Sequence, residues 1–213
     1  EMCIRDRITD AGTPGISDPG EELVKMAYEA GIEVTSLPGA CACVTALTLS
    51  GLSTRRFVFE AFLPPDKKEH KLALERLKNE TRTMIVYEAP HHLLKTLREL
   101  LETLGNRRLT LCRELTKKHE TAWQTTIEDA ITRYEQEDPK GECVLVIEGR
   151  SQKEIEDEAK AAFEEISIEE HMKRYEDQGI ARKEAMKLVA KDRGVTKRDI
   201  YQYLLGKESY NDF

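Results

Sequence analysis

Apolar and polar positions alternate along the chain in two periods, which predict short strands separated by amphipathic helices. The clearest helical period places Leu93, Leu97, Leu100 and Leu104 on one face, and Gly105 follows as a stop signal. Short runs that are β-prone or continuously apolar predict strands. These runs lie at residues 32–37, 57–62, 83–87, 109–112 and 143–147.

Helices are predicted in the intervals between these strands. The first would end at Gly31, the second would run from about Cys41 to Ser50, and a capping box of Asp66 and Glu69 would begin the third. Two more follow the same alternation, at 93–104 and 127–134. This alternation predicts an α/β fold, in which the order of elements up to residue 51 implies a parallel sheet and a second α/β block covers about residues 55–150.

Beyond Gly149 the pattern becomes helical throughout, and its charge is uneven. Residues 154–177 carry ten acids and three bases, whereas residues 179–207 carry eight bases and three acids. The basic part predicts two short helices, one ending at Gly194 and the next capped by Thr196 with Asp199. This outline fits a helix-turn-helix with a surface that faces phosphate, and it fits equally a small packing module with a solvated charged face.

A loop at residues 9–20 stands out because it holds three Gly and two Pro within twelve positions. It would follow a short strand that ends at Ile8 and Thr9. Such a loop lets backbone amides approach a ligand, and the carboxylates of Asp10 and Asp18 can accept hydrogen bonds from hydroxyl groups. A tight connection without any ligand is the alternative interpretation.

Composition narrows the class of protein. The 213 residues are 39% hydrophobic and 34% charged with a net charge of −7, which is typical of a soluble globular protein. No apolar run reaches the roughly 20 residues of a membrane span, and the start lacks the apolar segment of a signal peptide, so we expect a cytoplasmic protein. The five scattered Cys predict reduced, mostly buried thiols and no zinc site. No G-x-G-x-x-G sequence follows a strand, which argues against a dehydrogenase-type nucleotide fold.

Six short motifs occur in a fixed order between residues 9 and 142. They are Thr9–Gly20 (TDAGTPGISDPG), Pro38–Ala42 (PGACA), Phe62–Pro64 (FLP), Tyr87–His91 (YEAPH), Arg113–Lys117 (RELTK) and Gly141-Glu142. Their order and spacing resemble the 16S ribosomal RNA cytidine 2′-O-methyltransferases of the tetrapyrrole methylase superfamily. The resemblance extends from Ile8 to the basic helical tail.

The resemblance implies a two-domain, class III methyltransferase fold with S-adenosylmethionine in the cleft between the α/β domains, followed by a small C-terminal helical module. It implies methylation of a cytidine ribose 2′-oxygen in the decoding region of 16S rRNA, by a homodimer. It also implies a set of cofactor-binding residues, which are Asp10, Ala11, Gly12, Thr13, Pro14, Ser17, Asp18, Pro38, Gly39, Ala40, Cys41, Tyr87, Gly141 and Glu142.

Four charged residues that follow predicted strands are candidates for catalysis: Glu88, Arg113, Glu114 and Lys117. A ribose hydroxyl is a weak nucleophile, so a nearby base, or a cation that stabilises a developing alkoxide, would assist its attack. Arg113 and Lys117 could instead hold RNA phosphate, and ion pairs or strand-end caps remain an alternative for all four. In the tail, the candidate RNA-binding residues are Lys187, Lys191, Lys197 and Arg198.

The predicted division of the chain has four parts. Residues 1–7 fit nothing that follows and are interpreted as a non-native scar, 8–54 as a remnant of an N-terminal methylase domain, 55–150 as a C-terminal methylase domain, and 151–213 as the helical tail. The first strand and loop of the family would lie upstream of Ile8, so we expect this chain alone to bind S-adenosylmethionine weakly or not at all. His92 departs from the family, in which Arg is expected at that position.

Two other functions remain open from the sequence. A sister methylase acting on a tetrapyrrole such as a corrin precursor would share the fold, although the basic tail and the Arg113–Lys117 segment favour RNA. A structural or binding fragment without activity is the second alternative, because part of the cofactor surface would be missing.

Overall fold

A five-stranded mixed sheet forms the centre of the larger part of the structure, a computed structural model that describes residues 12–164 and 166–208. The strands, in chain order, are β1 (Phe57–Phe62), β2 (Thr83–Glu88), β3 (Arg108–Arg113), β4 (Thr121–Thr126) and β5 (Cys143–Ile147). Their spatial order is β1-β2-β5-β3-β4. The β1–β2 pair is parallel, and the other three pairs are antiparallel.

Five helices accompany these strands. They are α1 (Glu21–Glu29), α2 (Ala42–Ser50), α3 (Lys67–Lys78), α4 (Pro90–Leu104) and α5 (Ile127–Tyr134). The predicted cap of α3 is confirmed, because the Asp66 carboxylate accepts hydrogen bonds from the backbone amides of Lys68 and Glu69, each at 3.0 Å. The predicted stop of α2 is confirmed by Gly51, whose φ of 70° is left-handed.

The sheet buries apolar side chains on both faces because successive residues of a strand point in opposite directions. Val86 lies on the face that packs against α3, α4 and α5, together with the Leu97 and Leu100 side chains of α4. Ile85 lies on the opposite face and packs against Ala46 and other residues of α2. The near-continuous apolar sequences of β2 and β5 follow from this two-sided burial.

The strand predicted at residues 32–37 is wrong. Residues 33–41 form no helix or strand, and the side chains of Ile32 and Leu37 are 60% and 82% exposed. An alternating sequence becomes a strand only where a neighbouring strand supplies hydrogen-bond partners, and none does so among the described residues. The parallel sheet expected before Gly51 is therefore not seen in the described part of the chain.

The helix predicted before Gly31 is confirmed as α1, but it contributes no buried residue. Its apolar side chains are exposed, with Leu23 at 57% and Val24 at 40%. The apolar face of α1 therefore has no partner among the described residues.

Residues 151–213 make up a second unit, which is described by itself. It contains α6 (Gln152–Glu164), α7 (Ile168–Glu176), α8 (Arg182–Arg193) and α9 (Lys197–Glu208). A small core of Met172, Ala185, Val189, Ala190 and Ile200 joins its helices. The predicted cap of α9 is confirmed, because Thr196 and Asp199 exchange hydrogen bonds between side chain and backbone.

Two further features of the described residues bear on function. No helix among them is both long enough and apolar enough to cross a membrane. Cys43, Cys112 and Cys143 are buried free thiols and Cys41 is half-buried, in agreement with the expected reduced state.

Candidate functional site

One edge of the sheet gathers most of the sequence motifs. At this edge Phe62 pairs with Tyr87, Glu88 pairs with Cys143, and Cys143 pairs in turn with Arg113. The ends of β1, β2 and β3 therefore meet the beginning of β5. The segments that follow β1, β2 and β3, and the Gly141-Glu142 segment that precedes β5, are brought together by this topology.

Tyr87 connects this edge to the beginning of α2. Its hydroxyl oxygen accepts a hydrogen bond from the backbone N–H of Cys43 at 2.9 Å, which occupies one of the amides that a helix leaves free in its first turn. Its ring lies edge-on to the rings of Phe59 and Phe62, with centroid distances of 5.0 and 5.6 Å. Burial raises the pKa of Tyr87 above its usual range, so the hydroxyl remains protonated.

The turn before α2 packs against the Gly-rich loop. The Thr13 hydroxyl donates a hydrogen bond to the backbone oxygen of Ala40 at 3.0 Å. A Cβ atom added at Gly12 would lie 3.0 Å from the same oxygen, and one added at Gly39 would lie 3.1 Å from Thr13 Oγ1. The structure thus brings together two of the segments expected to hold the cofactor. Asp10 and Ala11 lie outside the described residues.

The other expected members of the loop are more exposed. Pro14 and Ser17 are exposed and Asp18 is half-buried. Ser17 has a positive φ of 55°, which is uncommon for a residue with a side chain.

The Cys41 and Cys43 thiols meet at the start of α2. Their sulfur atoms are 3.3 Å apart. Burial and the neighbouring Cys41 raise the pKa of Cys43 to about 11. Cys43 is therefore a protonated thiol at neutral pH, which argues against a nucleophilic role.

A second cluster forms around Glu114, after β3. One carboxylate oxygen of Glu114, Oε1, accepts hydrogen bonds from Lys117 Nζ at 3.2 Å and from the backbone N–H of Glu142 at 3.3 Å. The same oxygen would lie 2.3 Å from a Cβ atom at Gly141, so the absence of a side chain there is what gives Glu114 its position. Lys117 Nζ also lies 3.9 Å from Glu142 Oε2.

The backbone of this segment is strained. Glu114 and Thr116 have φ values of 50° and 64°, in the left-handed region that residues with side chains rarely adopt. The Thr116 amide is fixed by a 2.6 Å hydrogen bond to the Glu120 carboxylate. Strain of this kind persists where the surroundings enforce it, and it is concentrated at functional sites.

Glu88 and Arg113 lie on the face of the sheet opposite to Tyr87. Glu88 is 7% exposed, and its carboxylate accepts hydrogen bonds from the Thr96 hydroxyl at 2.5 Å and from the Ala89 amide at 2.8 Å. Arg113 Nε lies 3.4 Å from Thr121 Oγ1. The four expected catalytic residues thus share one edge of the sheet, but only Glu114 and Lys117 are in direct contact.

The four candidate RNA-binding residues of the tail differ in surroundings. Lys187 forms an ion pair with Glu184 at 2.8 Å, whereas Lys191 and Arg198 are exposed and Lys197 is half-buried. Arg193, another base of this segment, has an internal role: its guanidinium donates to His171 Nδ1 and to the backbone oxygen of Ile166, at 3.3 and 2.6 Å.

Sequence reasoning missed the residues that support the site. Thr96 holds Glu88, and the Cys43 amide holds Tyr87, across separations of 8 and 44 positions in the chain. Neither contact can be predicted from the local sequence. A Thr within a helix, or a backbone amide, has the same sequence context whether or not a distant residue forms a hydrogen bond with it.

The donor chemistry of this arrangement suits S-adenosylmethionine. The N-cap residue Cys41 makes no side-chain cap hydrogen bond, Tyr87 occupies the Cys43 amide alone, and the exposed turn from Pro38 to Ala40 leaves backbone groups accessible. Such a helix start suits a carboxylate, and the nearby Tyr87 ring offers an apolar surface. Among the described residues no three His, Cys, Asp or Glu side chains gather as a metal site would require.

Comparison with known proteins gives two kinds of similarity. Residues 7–131 match the family described as Tetrapyrrole (Corrin/Porphyrin) Methylases. The protein named Ribosomal RNA small subunit methyltransferase I from Halalkalibacterium halodurans is 47% identical over 194 residues, which are 91% of this chain and 66% of that relative. The protein of the same name from Synechocystis is 43% identical over 203 residues, 95% of this chain and 71% of the relative. The chain therefore spans about two thirds of the length of these curated relatives.

Among solved structures, the crystal structure of the methyltransferase CobJ is similar with a TM-score of 0.52 and 18% identity, over 65% of this chain and 62% of that chain. At that identity the similarity shows the fold alone.

Proposed function

The chain belongs to the tetrapyrrole (corrin/porphyrin) methylase family, and on this premise we propose that it acts in the S-adenosylmethionine-dependent methylation of small-subunit ribosomal RNA. The observation that carries the proposal is the identity of 43–47% to relatives named for that activity, which extends over more than nine tenths of the chain. The finer proposal is that the methyl acceptor is the ribose 2′-oxygen of a cytidine in the decoding region of 16S rRNA.

We propose that the cofactor lies against the α2 side of the sheet edge. The residues that would hold it are those of the loop and turn already in contact (Gly12, Thr13, Pro38, Gly39, Ala40 and Cys41), their neighbours in the loop, and Tyr87. Gly141 and Glu142 would close the site from the side of β5. S-adenosylmethionine supplies a methyl group already activated by its sulfonium, so the protein's main task is to position the acceptor and exclude water.

Glu114 and Lys117 are proposed to act on the acceptor. Because their side chains form one hydrogen-bonded pair, the Glu114 carboxylate can accept the proton of a ribose hydroxyl while the Lys117 ammonium stabilises negative charge on the oxygen. Arg113 would neutralise a phosphate beside the target nucleotide. Glu88 already accepts two hydrogen bonds, so we assign it the role of positioning the beginning of α4.

The basic end of the tail is proposed to bind RNA phosphates through Lys187, Lys191, Lys197 and Arg198. Lys191 and Arg198 are exposed and form no ion pair among the described residues, whereas Lys187 is exposed but pairs with Glu184, so Lys191 and Arg198 should contribute most. Replacing both by Ala should weaken RNA binding and reduce its salt dependence, by about 0.7 in the log–log slope for each phosphate contact to single-stranded RNA. Fluorescence anisotropy with labelled rRNA at several salt concentrations measures both quantities.

The matched control for the tail replaces Lys173 and Arg174, two exposed bases in the acidic half of the same unit. It removes the same charge, so it should leave the salt slope unchanged. If the two double variants lower the slope equally, the effect is one of net charge and the tail is not a specific RNA surface.

The proposal includes a homodimer, as the family resemblance implies, and a cytoplasmic location. Light scattering of the purified protein tests the dimer directly: a mass of twice the chain is expected, and a monomer at micromolar concentration would contradict it.

The competing substrate is a tetrapyrrole such as a corrin precursor. The two are separated by supplying labelled S-adenosylmethionine together with either small ribosomal subunits or a corrin precursor. Label in RNA alone is expected. Label in the tetrapyrrole alone would keep the family and overturn the substrate.

A further inference from the structure

A groove of about 910 Å³ runs between α3 and α4, on the face of the sheet opposite to α2. Its floor includes Leu63 and Leu74, and His70 links its walls. One ring nitrogen of His70 lies 3.0 Å from the backbone oxygen of Pro64, and the other lies 3.0 Å from Glu99 Oε2. The groove is therefore held at a defined width by a contact between the two helices.

The groove begins at the edge of the sheet that carries the candidate site. Both helices start at this edge, since each follows a strand that ends there, and Arg107 donates to the backbone oxygens of Lys78 and Leu104 where they end. Phe62 and Glu88, the last residues of β1 and β2, line the groove at this end. A polymer that occupies the candidate site can thus continue into the groove without leaving the surface.

The charge of the groove changes along its length. At the end near the site it is lined by Lys67, Lys71 and Lys95 with His92, whereas Glu75, Lys78 and Glu102 line the far part. The acids nearer the site are already engaged, Glu88 by Thr96 and Ala89, and Glu99 by His70 and Lys95.

Lys67 and Lys71 are therefore the most available cations at the end of the groove near the site. They lie one helical turn apart on the same face of α3, both are exposed, and no ion pair involves either of them among the described residues. The nearby acids Asp66 and Glu69 do not line the groove, and the Asp66 carboxylate is occupied by two backbone amides.

An exposed aromatic ring stands at the entrance. Phe62 is 50% exposed, and its ring is held edge-on against Tyr87. Exposed lysines beside an aromatic side chain at the entrance of a groove are the arrangement by which proteins hold single-stranded nucleic acid, with bases stacked on rings and phosphates against cations.

We propose that the groove between α3 and α4 binds the single-stranded RNA next to the methylated nucleotide, with Lys67 and Lys71 on its phosphates and Phe62 under a base. This inference rests on the proposed RNA substrate and names a binding surface beyond the sheet-edge site. It gives the rRNA strand a path from the candidate site along α3.

The test compares two double variants of the same helix in the protein with its flanking sequence intact. Lys67 and Lys71 are replaced by Ala in one, and Lys68 and Arg76, which are exposed on α3 but do not line the groove, are replaced by Ala in the other. The first variant should raise the KM for rRNA about ten-fold with kcat nearly unchanged, and should reduce the salt slope of binding by about 1.4. The second should match the unmodified protein in both.

A measurement without mutation supports the comparison. Acetylation of lysines, followed by mass spectrometry, should show that rRNA protects Lys67 and Lys71 while Lys68 reacts as before. Equal KM values and slopes for the two double variants would contradict RNA binding in the groove. Equal reactivity of the three lysines with and without RNA would contradict it too. Failure of the unmodified protein to methylate rRNA would instead overturn the proposed function, so the two failures are distinguishable.

Discussion

At the scale of single residues, Tyr87 connects the sheet to the first turn of α2. It belongs to one of the motifs by which the family can be recognised, and its contacts show why a phenol suits the position. The ring packs with Phe59 and Phe62, and the hydroxyl reaches the amide of Cys43. Position 87 therefore requires both an aromatic body and a polar tip.

Replacing Tyr87 by Phe should keep the ring packing and remove the hydroxyl. The Cys43 amide then loses its partner, which should lower the free energy of unfolding by about 1 kcal/mol. If the proposed cofactor site is correct, the Kd for S-adenosylmethionine should also rise several-fold. Denaturant unfolding and calorimetric titration measure the two effects.

The control for this change is Tyr28→Phe, because Tyr28 is 65% exposed. It should leave stability and cofactor affinity unchanged. An effect of Tyr87→Phe no larger than that of the control would show that the hydroxyl does not support α2.

Gly141 is a second position of this kind, because a single added Cβ atom would displace the Glu114 side chain. Ala at this position would place its Cβ atom 2.3 Å from Glu114 Oε1 and would strain a backbone whose φ is 76°. Because the Glu114 side chain would have to leave Lys117, Gly141→Ala should reduce kcat for methyl transfer at least ten-fold. The backbone strain alone should cost about 1 kcal/mol of stability.

Gly31→Ala separates these two effects. Gly31 has a similar φ of 68°, but no atom lies within 4 Å of an added Cβ atom. This control should lose a similar amount of stability and retain full activity. Retained activity in Gly141→Ala would remove the Glu114–Lys117 pair from the catalytic account.

At the scale of elements, helices and strands were predicted most accurately where the local sequence signals of burial or capping match the contacts in the fold. The helix that starts at Asp66 and the strand at 143–147 were predictable, because a capping box and an apolar run are local signals of the contacts found. The strand predicted at 32–37 failed because its period depends on a neighbour that the described residues do not supply. β4 was missed because an edge strand has one neighbour and its sequence Thr121–Thr126 is mostly polar.

The candidate site was predictable in its members but not in its geometry. The motif segments gave Glu114, Lys117 and Gly141, and the structure places these three in contact. The division of Glu88 and Tyr87 between opposite faces follows from strand alternation, whereas the hydrogen bond that occupies Glu88 depends on the position of Thr96 in the folded protein. The groove beside α3 could not be predicted from the sequence. Lys67, which lines it, and Lys68, which does not, are adjacent residues of the same type.

In the tail, α7 and α8 are joined through a buried histidine. His171 is 1% exposed, Nε2 lies 3.3 Å from Asp192 Oδ2, and Nδ1 accepts from Arg193 Nε. Its ring stacks on Phe163 and Tyr175. A neutral ring with hydrogen on Nε2 satisfies both polar contacts. Burial lowers the pKa of His171 and Arg193 adds to this, while Asp192 opposes it.

The stability of this unit should therefore decrease in mild acid. The unfolded chain binds a proton near the ordinary histidine pKa of about 6.5, and the folded chain binds it only at lower pH, so stability is fully present above about 6.5 and is lost as pH falls through the folded pKa. Hydrogen exchange of α8 amides between pH 7 and 5 measures this loss. The His171→Leu variant should be less stable than the unmodified protein at pH 7, and its stability should depend less on pH. If its stability falls as steeply with pH, groups other than His171 cause the loss.

At the scale of the whole molecule, chemistry and RNA binding are proposed for different parts of the chain. In this proposal the sheet edge and the start of α2 provide the methyl-transfer site, and the groove along α3 continues from it. The tail forms a separate unit with its own core. A net charge of −7 is compatible with an RNA substrate because bases locally outnumber acids in two places, by five to two along α3 and by eight to three in residues 179–207. Separate basic surfaces of this kind allow affinity for RNA to be changed without altering the reacting groups.

The most direct test of the account identifies the methylated nucleoside. Small ribosomal subunits that lack the modification are incubated with labelled S-adenosylmethionine and either this chain or a version extended to the full length of its relatives. The rRNA is then digested to nucleosides and separated by mass. The account predicts 2′-O-methylcytidine as the labelled product, formed by the extended protein and weakly or not at all by the chain alone. Label on a base, or in no nucleoside with either protein, would contradict the assignment of the sheet-edge site to ribose methylation.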